Sequence, residues 1–155
     1  MPSTVPLREL PLLRKTYARK RIVLVGGAFD LLHPGHIHQL LWARSKGDIL
    51  VVHITGDRRY KEKRKRPPVF PARERAMVIS ALRPVEHVFI YDGKHYDQKI
   101  ISLIQPDILI FNKEAFTPEV KRAVASLVFK GKILVSSLKK EYSSSELRKK
   151  LSRSK

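Results

Sequence analysis

Two histidines three positions apart, His33 and His36, stand in the run Gly26-Gly27-Ala28-Phe29-Asp30-Leu31-Leu32-His33-Pro34-Gly35-His36. Pro34 and Gly35 place a helix start between them. A helix start presents free N–H groups and a partial positive charge, so it attracts phosphate. Each imidazole can donate a hydrogen bond to a phosphate oxygen, worth about 1.5–3 kcal/mol when charge-assisted. Two donors that strengthen as charge builds on a transferring phosphoryl group would supply a useful share of a catalytic barrier. The two glycines ahead of them let the backbone turn sharply and approach a ligand. A bare H-x-x-H is usually incidental. A metal site is the other chemistry it suggests, and no third ligand is evident nearby. His38 falls on another face and reads as structural.

The surrounding elements must place those rings. Ile22-Val23-Leu24-Val25, Ile49 to Ile54, Val88 to Tyr91, Ile108 to Phe111 and Ile133-Leu134-Val135 are short apolar runs, and each reads as a buried strand. Between them the pattern predicts helices over Gly35–Lys46, Pro71–Leu82, Gln98–Ile104 and Pro118 to about Phe129, the last capped by Thr117, with a final short helix over Ser145–Leu151. Strands alternating with helices mean an α/β fold with a Rossmann-like, doubly wound, five-stranded parallel sheet covered on both faces. Ligands of such sheets sit beyond the carboxyl ends of the strands, where strand order reverses. That directs attention to the segments after the first, fourth and fifth strands. Residues 1–20 read as a basic, Pro-containing N-terminal extension, and 21–155 as the domain proper. The stretch between the second strand and Pro67-Pro68 reads as a long basic loop.

The 155 residues carry 32 Lys and Arg against 14 Asp and Glu, a net charge of +18. Such a field draws polyanions: nucleotides, phosphorylated metabolites, nucleic acid. A nucleic-acid module stays open on charge alone, but no zinc pattern or aromatic-rich RNA-binding segment supports it. The chain has no Cys, which excludes disulfides, thiolate metal sites and a Cys nucleophile. No run approaches the roughly 20 apolar residues of a membrane span, and the N-terminus lacks a secretory pattern. A cytoplasmic location is expected.

Gly27-x-Phe29-Asp30-x-x-His33-x-Gly35-His36 resembles the signature of the cytidylyltransferase-like nucleotidyltransferases, the H-x-G-H superfamily. The similarity runs through most of residues 22–150. Arg66-Pro67-Pro68-Val69-Phe70-Pro71-Ala72-Arg73-Glu74-Arg75 resembles the family's basic loop and Arg-bearing helix. Ser143-Ser144-Ser145-Glu146-Leu147-Arg148 resembles its C-terminal I-S-[ST]-[ST]-x-x-[RK] motif.

The resemblance implies transfer of a nucleoside monophosphate from a nucleoside triphosphate to a phosphate monoester, with pyrophosphate leaving. It implies that His33 and His36 hold the α-phosphate and stabilise the pentavalent transition state. It places the backbone around Ala28 and Phe29, with Gly35, against nucleotide or acceptor phosphate. One or two of Lys63, Lys65 and Arg66 would reach over the phosphates, with Lys63 counted beside the histidines as catalytic. Arg75 would bind the β- or γ-phosphate, and Ser143, Ser144 and Ser145 would offer hydroxyls and N–H groups at another helix start. Glu114 fits the family's acidic residue near the base or ribose. Mg²⁺ would accompany the triphosphate, and relatives suggest a homodimer.

Within the superfamily two branches are similar. The glycerol-3-phosphate cytidylyltransferases match Gly26–Gly47 but carry Arg-Thr-x-Gly where this chain reads Leu138-Lys139-Lys140-Glu141. The serine-rich ending is closer to adenylyltransferases, including the archaeal FAD synthases, which join AMP to FMN. Those often have cysteines near the C-terminus and an acidic Tyr-Asp segment after the fourth strand, where this chain reads Phe111-Asn112-Lys113-Glu114. ATP is expected over CTP, and FMN leads the acceptors. Glycerol phosphate, phosphopantetheine and sugar phosphates remain alternatives.

Overall fold

The apolar runs become five parallel strands. A computed structural model, which describes residues 4–138 and 143–154, sets them as β1 (Ile22–Gly27), β2 (Ile49–Thr55), β3 (His87–Tyr91), β4 (Ile108–Asn112) and β5 (Lys132–Ser136). Their order is β3-β2-β1-β4-β5, every neighbouring pair parallel. Gly26 pairs with His53 and Gly27 with Ile54 on β2, while the pairing with β4 ends at Val25 and Ile110. The two glycines therefore stand free of β4, at the point where strand order reverses.

Among the described residues there are seven α-helices: α1 (Leu10–Thr16), α2 (Pro34–Arg44), α3 (Asp57–Arg64), α4 (Ala72–Ser80), α5 (Gln98–Ile104), α6 (Pro118–Ala125) and α7 (Ser144–Arg153). Alternate strand residues enter opposite cores. Val23, Val25, Leu50, Val52 and Ile110 pack with Leu40 and Ala43 of α2 and Ala76 and Ile79 of α4. Ile22, Leu24, Val51, Phe89 and Leu109 pack with α1, α5 and Val124 of α6. The connection after β1 thus leaves toward one face and the connection after β4 toward the other, which opens a crevice between them.

Three expectations need correcting. Residues 4–20 are not an appendage. Val5 N–H donates to the Val88 carbonyl (2.7 Å) and Leu10 is fully buried, with Leu13 beside it. Pro11 lies in the first turn of α1, where its missing N–H breaks no helical bond. Arg14 closes the segment onto Asp107 (2.9 Å). Leu10→Ala is expected to cost about 2–5 kcal/mol, the range for a fully buried leucine. Urea denaturation reads it, and a shift below half a kcal/mol would return the segment to the surface.

The basic stretch after β2 is a helix, α3, not a loop. Its one buried side chain is Tyr60, so apolar periodicity could not reveal it. Charge placement holds it instead: Asp57 in the first turn, Lys61, Lys63 and Arg64 in the last, and an Arg58–Glu62 pair at i,i+4 (2.7 Å). Lys65 ends it in the left-handed conformation at φ 56°. Finally, β5 is an edge strand with Lys132, Ile133 and Val135 exposed, rather than covered on both faces.

Candidate active site

The loop after β1 is built around Phe29, whose φ of 48° is rare for a residue with a Cβ. Its ring is buried and packs on the His36 ring, 5.1 Å between centroids. A Cβ at Gly27 would lie 2.7 Å from that ring, so the loop requires glycine there. His33 is the N-cap of α2 and Pro34 its first residue. The first turn, Pro34 to Ile37, carries no acidic residue to neutralise the helix start.

His33 and His36 are brought together: their rings stack at 3.8 Å between centroids, 21° apart. Both residues are half-buried and both Nδ1 atoms are shielded from solvent. The two rings lie side by side at the positive end of α2.

Asp30, three residues after Gly27, is almost fully buried. Oδ1 accepts from Val69 N–H (2.6 Å) and Phe70 N–H (3.3 Å). Oδ2 accepts from Tyr60 O–H (2.8 Å) and from the Arg148 guanidinium. Burial alone would raise its pKa; the bonds from Tyr60, Arg148, Phe70 and Val69 outweigh burial and hold it below the ordinary carboxylate value. The sequence reading gave Asp30 a place in the signature but no role.

Arg75 corrects another expectation. It is 2% exposed and its guanidinium faces inward, donating to the carbonyls of Phe70 (2.8 Å) and Ala28 and to Asp57 (2.8 Å). A group so engaged is a tie between α4 and the loop after β1, not a phosphate ligand. The Ala28 carbonyl is likewise turned to Arg75, which leaves the Ala28 and Phe29 N–H groups as the loop's donors. Arg75→Met would strand two carbonyls and is expected to cost about 2–4 kcal/mol. Chemical denaturation checks it; an unchanged midpoint would show the tie to be idle.

The three basic candidates separate. Arg66 is half-buried, its guanidinium 5.8 Å from the Tyr60 ring centroid and its Nη1 buried with no hydrogen-bond partner among the described residues. Lys65 is an exposed helix cap. Lys63 lies in the last turn of α3, close enough to His95 to repel its proton. Desolvation of its ammonium, with Arg64 and Arg59 beside it, lowers the Lys63 pKa. Lys63 is exposed at the surface. At the far side of the loop, Ser144 Oγ donates to the Leu31 carbonyl (3.2 Å) and Ser143 Oγ caps α7 by accepting from Glu146 N–H (3.1 Å). Ser145 is exposed. Glu114 sits exposed on a short turn after β4, across the crevice from the histidine loop. The segment Lys139–Tyr142, which bears on the choice of base, lies outside the described residues.

Two further histidines, His53 and His95, carried no expectation. His53 Nε2 donates to the Tyr91 carbonyl (2.9 Å), which fixes its tautomer. His95 covers Gly26 so closely that a Cβ there would lie 2.5 Å from its ring. Burial pushes His53 down to about 4. It pushes His95 to about 3, with His53 and Lys63 adding to the effect. The pair forms a neutral floor under the loop.

Stacked imidazoles at an uncompensated helix start, on the first loop of a doubly wound sheet, are an arrangement chemically suited to phosphate, in a fold of the nucleotide-binding α/β class. The cytidylyltransferase-like family model matches residues 24–150, and the chain belongs to that family. It is 40% identical over 99 residues to the FAD synthase of Thermococcus kodakarensis, covering 63% of this chain and 66% of that one. With the FAD synthase of Thermococcus onnurineus it shares 46% identity over 92 residues, 59% of this chain and 61% of the relative. The alignments thus span less than two thirds of these relatives' length. Among solved structures, the lipopolysaccharide core biosynthesis protein from Thermoplasma volcanium matches with TM-score 0.66 and 28% identity, over 77% of this chain and 98% of that one. The pantoate-beta-alanine ligase from Francisella tularensis has the same fold, with TM-score 0.67 at 14% identity over 94% of this chain and 73% of the ligase.

Proposed function

We propose that this chain is an FMN adenylyltransferase, an FAD synthase, which moves AMP from ATP onto the phosphate of FMN. The carrying observation is the His33–His36 stack at the start of α2. The FAD synthases to which the chain is similar support the choice of ATP and FMN. In the reaction an FMN phosphate oxygen bonds to the α-phosphorus. The bond from that phosphorus to the bridging oxygen breaks, and pyrophosphate leaves with the electron pair. The attacking oxygen is already anionic, so no base is needed. The two imidazoles serve as donors to the crowding phosphate oxygens, and the work is positioning and charge neutralisation.

Lys63 of α3 and Arg66, two residues past its end, meet the outgoing phosphates, and the Ser143–Ser145 start of α7 meets them from the other side. Mg²⁺ enters as part of the substrate, MgATP, held chiefly by phosphate oxygens as this ion usually is. Glu114 faces the nucleoside. We infer a homodimer working in the cytoplasm. Exposed Leu41 of α2 and Met77 and Val78 of α4, all on the same side of the sheet, support the pairing of copies. A chain without cysteine has no disulfide to lose there.

The test is pyrophosphate release across ATP and CTP, each paired with FMN, glycerol 3-phosphate, phosphopantetheine and sugar phosphates. FMN with ATP should be the fastest pair and should yield FAD. Turnover confined to CTP would move the assignment to a cytidylyltransferase.

A further inference from the structure

We propose that Asp30 is the positioning residue that holds α7, and with it the serine-bearing helix start, against the loop after β1. The inference rests on nucleotidyl transfer as the reaction of this site. Its basis is where the four donors to one carboxylate come from. Tyr60 belongs to α3, Val69 and Phe70 to the segment leading into α4, and Arg148 to α7. They lie 30, 39, 40 and 118 positions away in sequence. The first and last of these segments carry candidate phosphate ligands: Lys63 and Arg66 at the end of α3, Ser143 to Ser145 at the start of α7. Both oxygens of Asp30 are filled by protein donors, so it is neither a general base nor a metal ligand. Its effect on the reaction passes through the segments it gathers.

Dependence is greatest for α7. Among the described residues it buries no side chain completely, and Leu151 is 65% exposed. Apolar packing, which fixes α2, α4 and α5, contributes little to α7. Its polar attachments to the loop are Ser144 Oγ on the Leu31 carbonyl and Arg148 on Asp30. The second is charge-assisted, and its carboxylate is buried while Arg148 is partly exposed, so it is the stronger of the two. The bonds that outweigh burial at Asp30 keep the carboxylate ionised to receive it.

The experiment uses the full chain and four variants: Arg148→Gln, Arg148→Lys, Asp30→Asn and Tyr60→Phe. MgATP affinity is measured by calorimetry, KM and kcat by pyrophosphate release, and the order of α7 by amide hydrogen exchange over residues 147–153. Arg148→Gln alters a surface helix and should leave the core intact. It is expected to speed exchange in α7 and weaken MgATP about tenfold, the scale of one charge-assisted bond. The loss should fall on KM more than on kcat. Arg148→Lys should recover most of it, and Tyr60→Phe should leave α7 exchange unchanged. Asp30→Asn should weaken MgATP in the same direction as Arg148→Gln, and the double variant should add little to either.

A direct contact of Arg148 with phosphate predicts the opposite for Asp30→Asn, because a released guanidinium would bind ATP more tightly. Tighter binding, or α7 exchange unchanged in Arg148→Gln, overturns the proposal. The exchange measurement on the empty protein decides it even if no acceptor is turned over, an outcome that would sink the functional assignment alone.

Discussion

Changing His33 and His36 together to alanine is expected to cut pyrophosphate release by more than about 10³-fold while the fold persists. Removing one preorganised donor from a developing oxyanion typically costs about 10²–10³ in rate. In the proposed reaction two donors act on one phosphorus, from rings stacked 3.8 Å apart. Their contributions are not additive, since either ring alone is left without its neighbour's orientation, so each single variant should already lose most of the rate. Stability should change little. His33 makes no side-chain bond as the cap of α2, so alanine there removes no cap interaction. His36 lies on the loop side of α2, half-buried, and its ring contacts are with Phe29 and His33, which the double change removes together. The check is a single-turnover rate at saturating substrate, set beside the urea midpoint of the same protein. A double variant that turns over at the wild-type rate removes the assigned chemistry. So does one that loses activity only because it unfolds.

The histidine loop was legible because type and place coincide in a short stretch. Five apolar runs fixed the strands, and the first ended in glycines ahead of the pair. The rest of the site depends on partners distant in the chain. Nothing local marks Arg75 as buried; its inward turn follows from the Ala28 carbonyl and Asp57, 47 and 18 positions away. Asp30 looks like one more acidic residue until Arg148, 118 positions later, arrives beside it. The helix α3 escaped because one tyrosine is its whole buried face. It is pinned by Asp92, which accepts from Arg59 N–H (3.1 Å), a contact across two strands of the sheet. The segment containing α1 hides its packing because prolines and arginines mask Leu10 and Leu13, the two positions of α1 that enter the core. His53 was seen as part of a buried strand, but its pairing with His95 is set by the loop after β3.

That pairing predicts a steep acid limit. His53 is 2% exposed and its pKa is about 4; His95 packs over Gly26 with a pKa of about 3. Asp97 and Asp92 favour protonation of His53, but burial outweighs them. In the unfolded chain both rings return to about 6.5. Between that value and the native ones the unfolded state binds two protons that the native state refuses. Stability is therefore complete above pH 6.5 and falls as pH drops, each ring contributing about 1.4 kcal/mol per pH unit. The pair should remove about 2–3 kcal/mol per unit, or about 6 kcal/mol by pH 4, comparable to the whole stability of a small domain. Unfolding without denaturant is expected between about pH 4 and 5. His53→Gln keeps a donor for the Tyr91 carbonyl and cannot titrate, so it should roughly halve the slope between pH 6 and 4.5. Urea titrations at several pH values read this directly. A stability flat from pH 6.5 to 5 would mean that the two rings take up protons in the native protein, and that the floor beneath the loop after β1 is open to water.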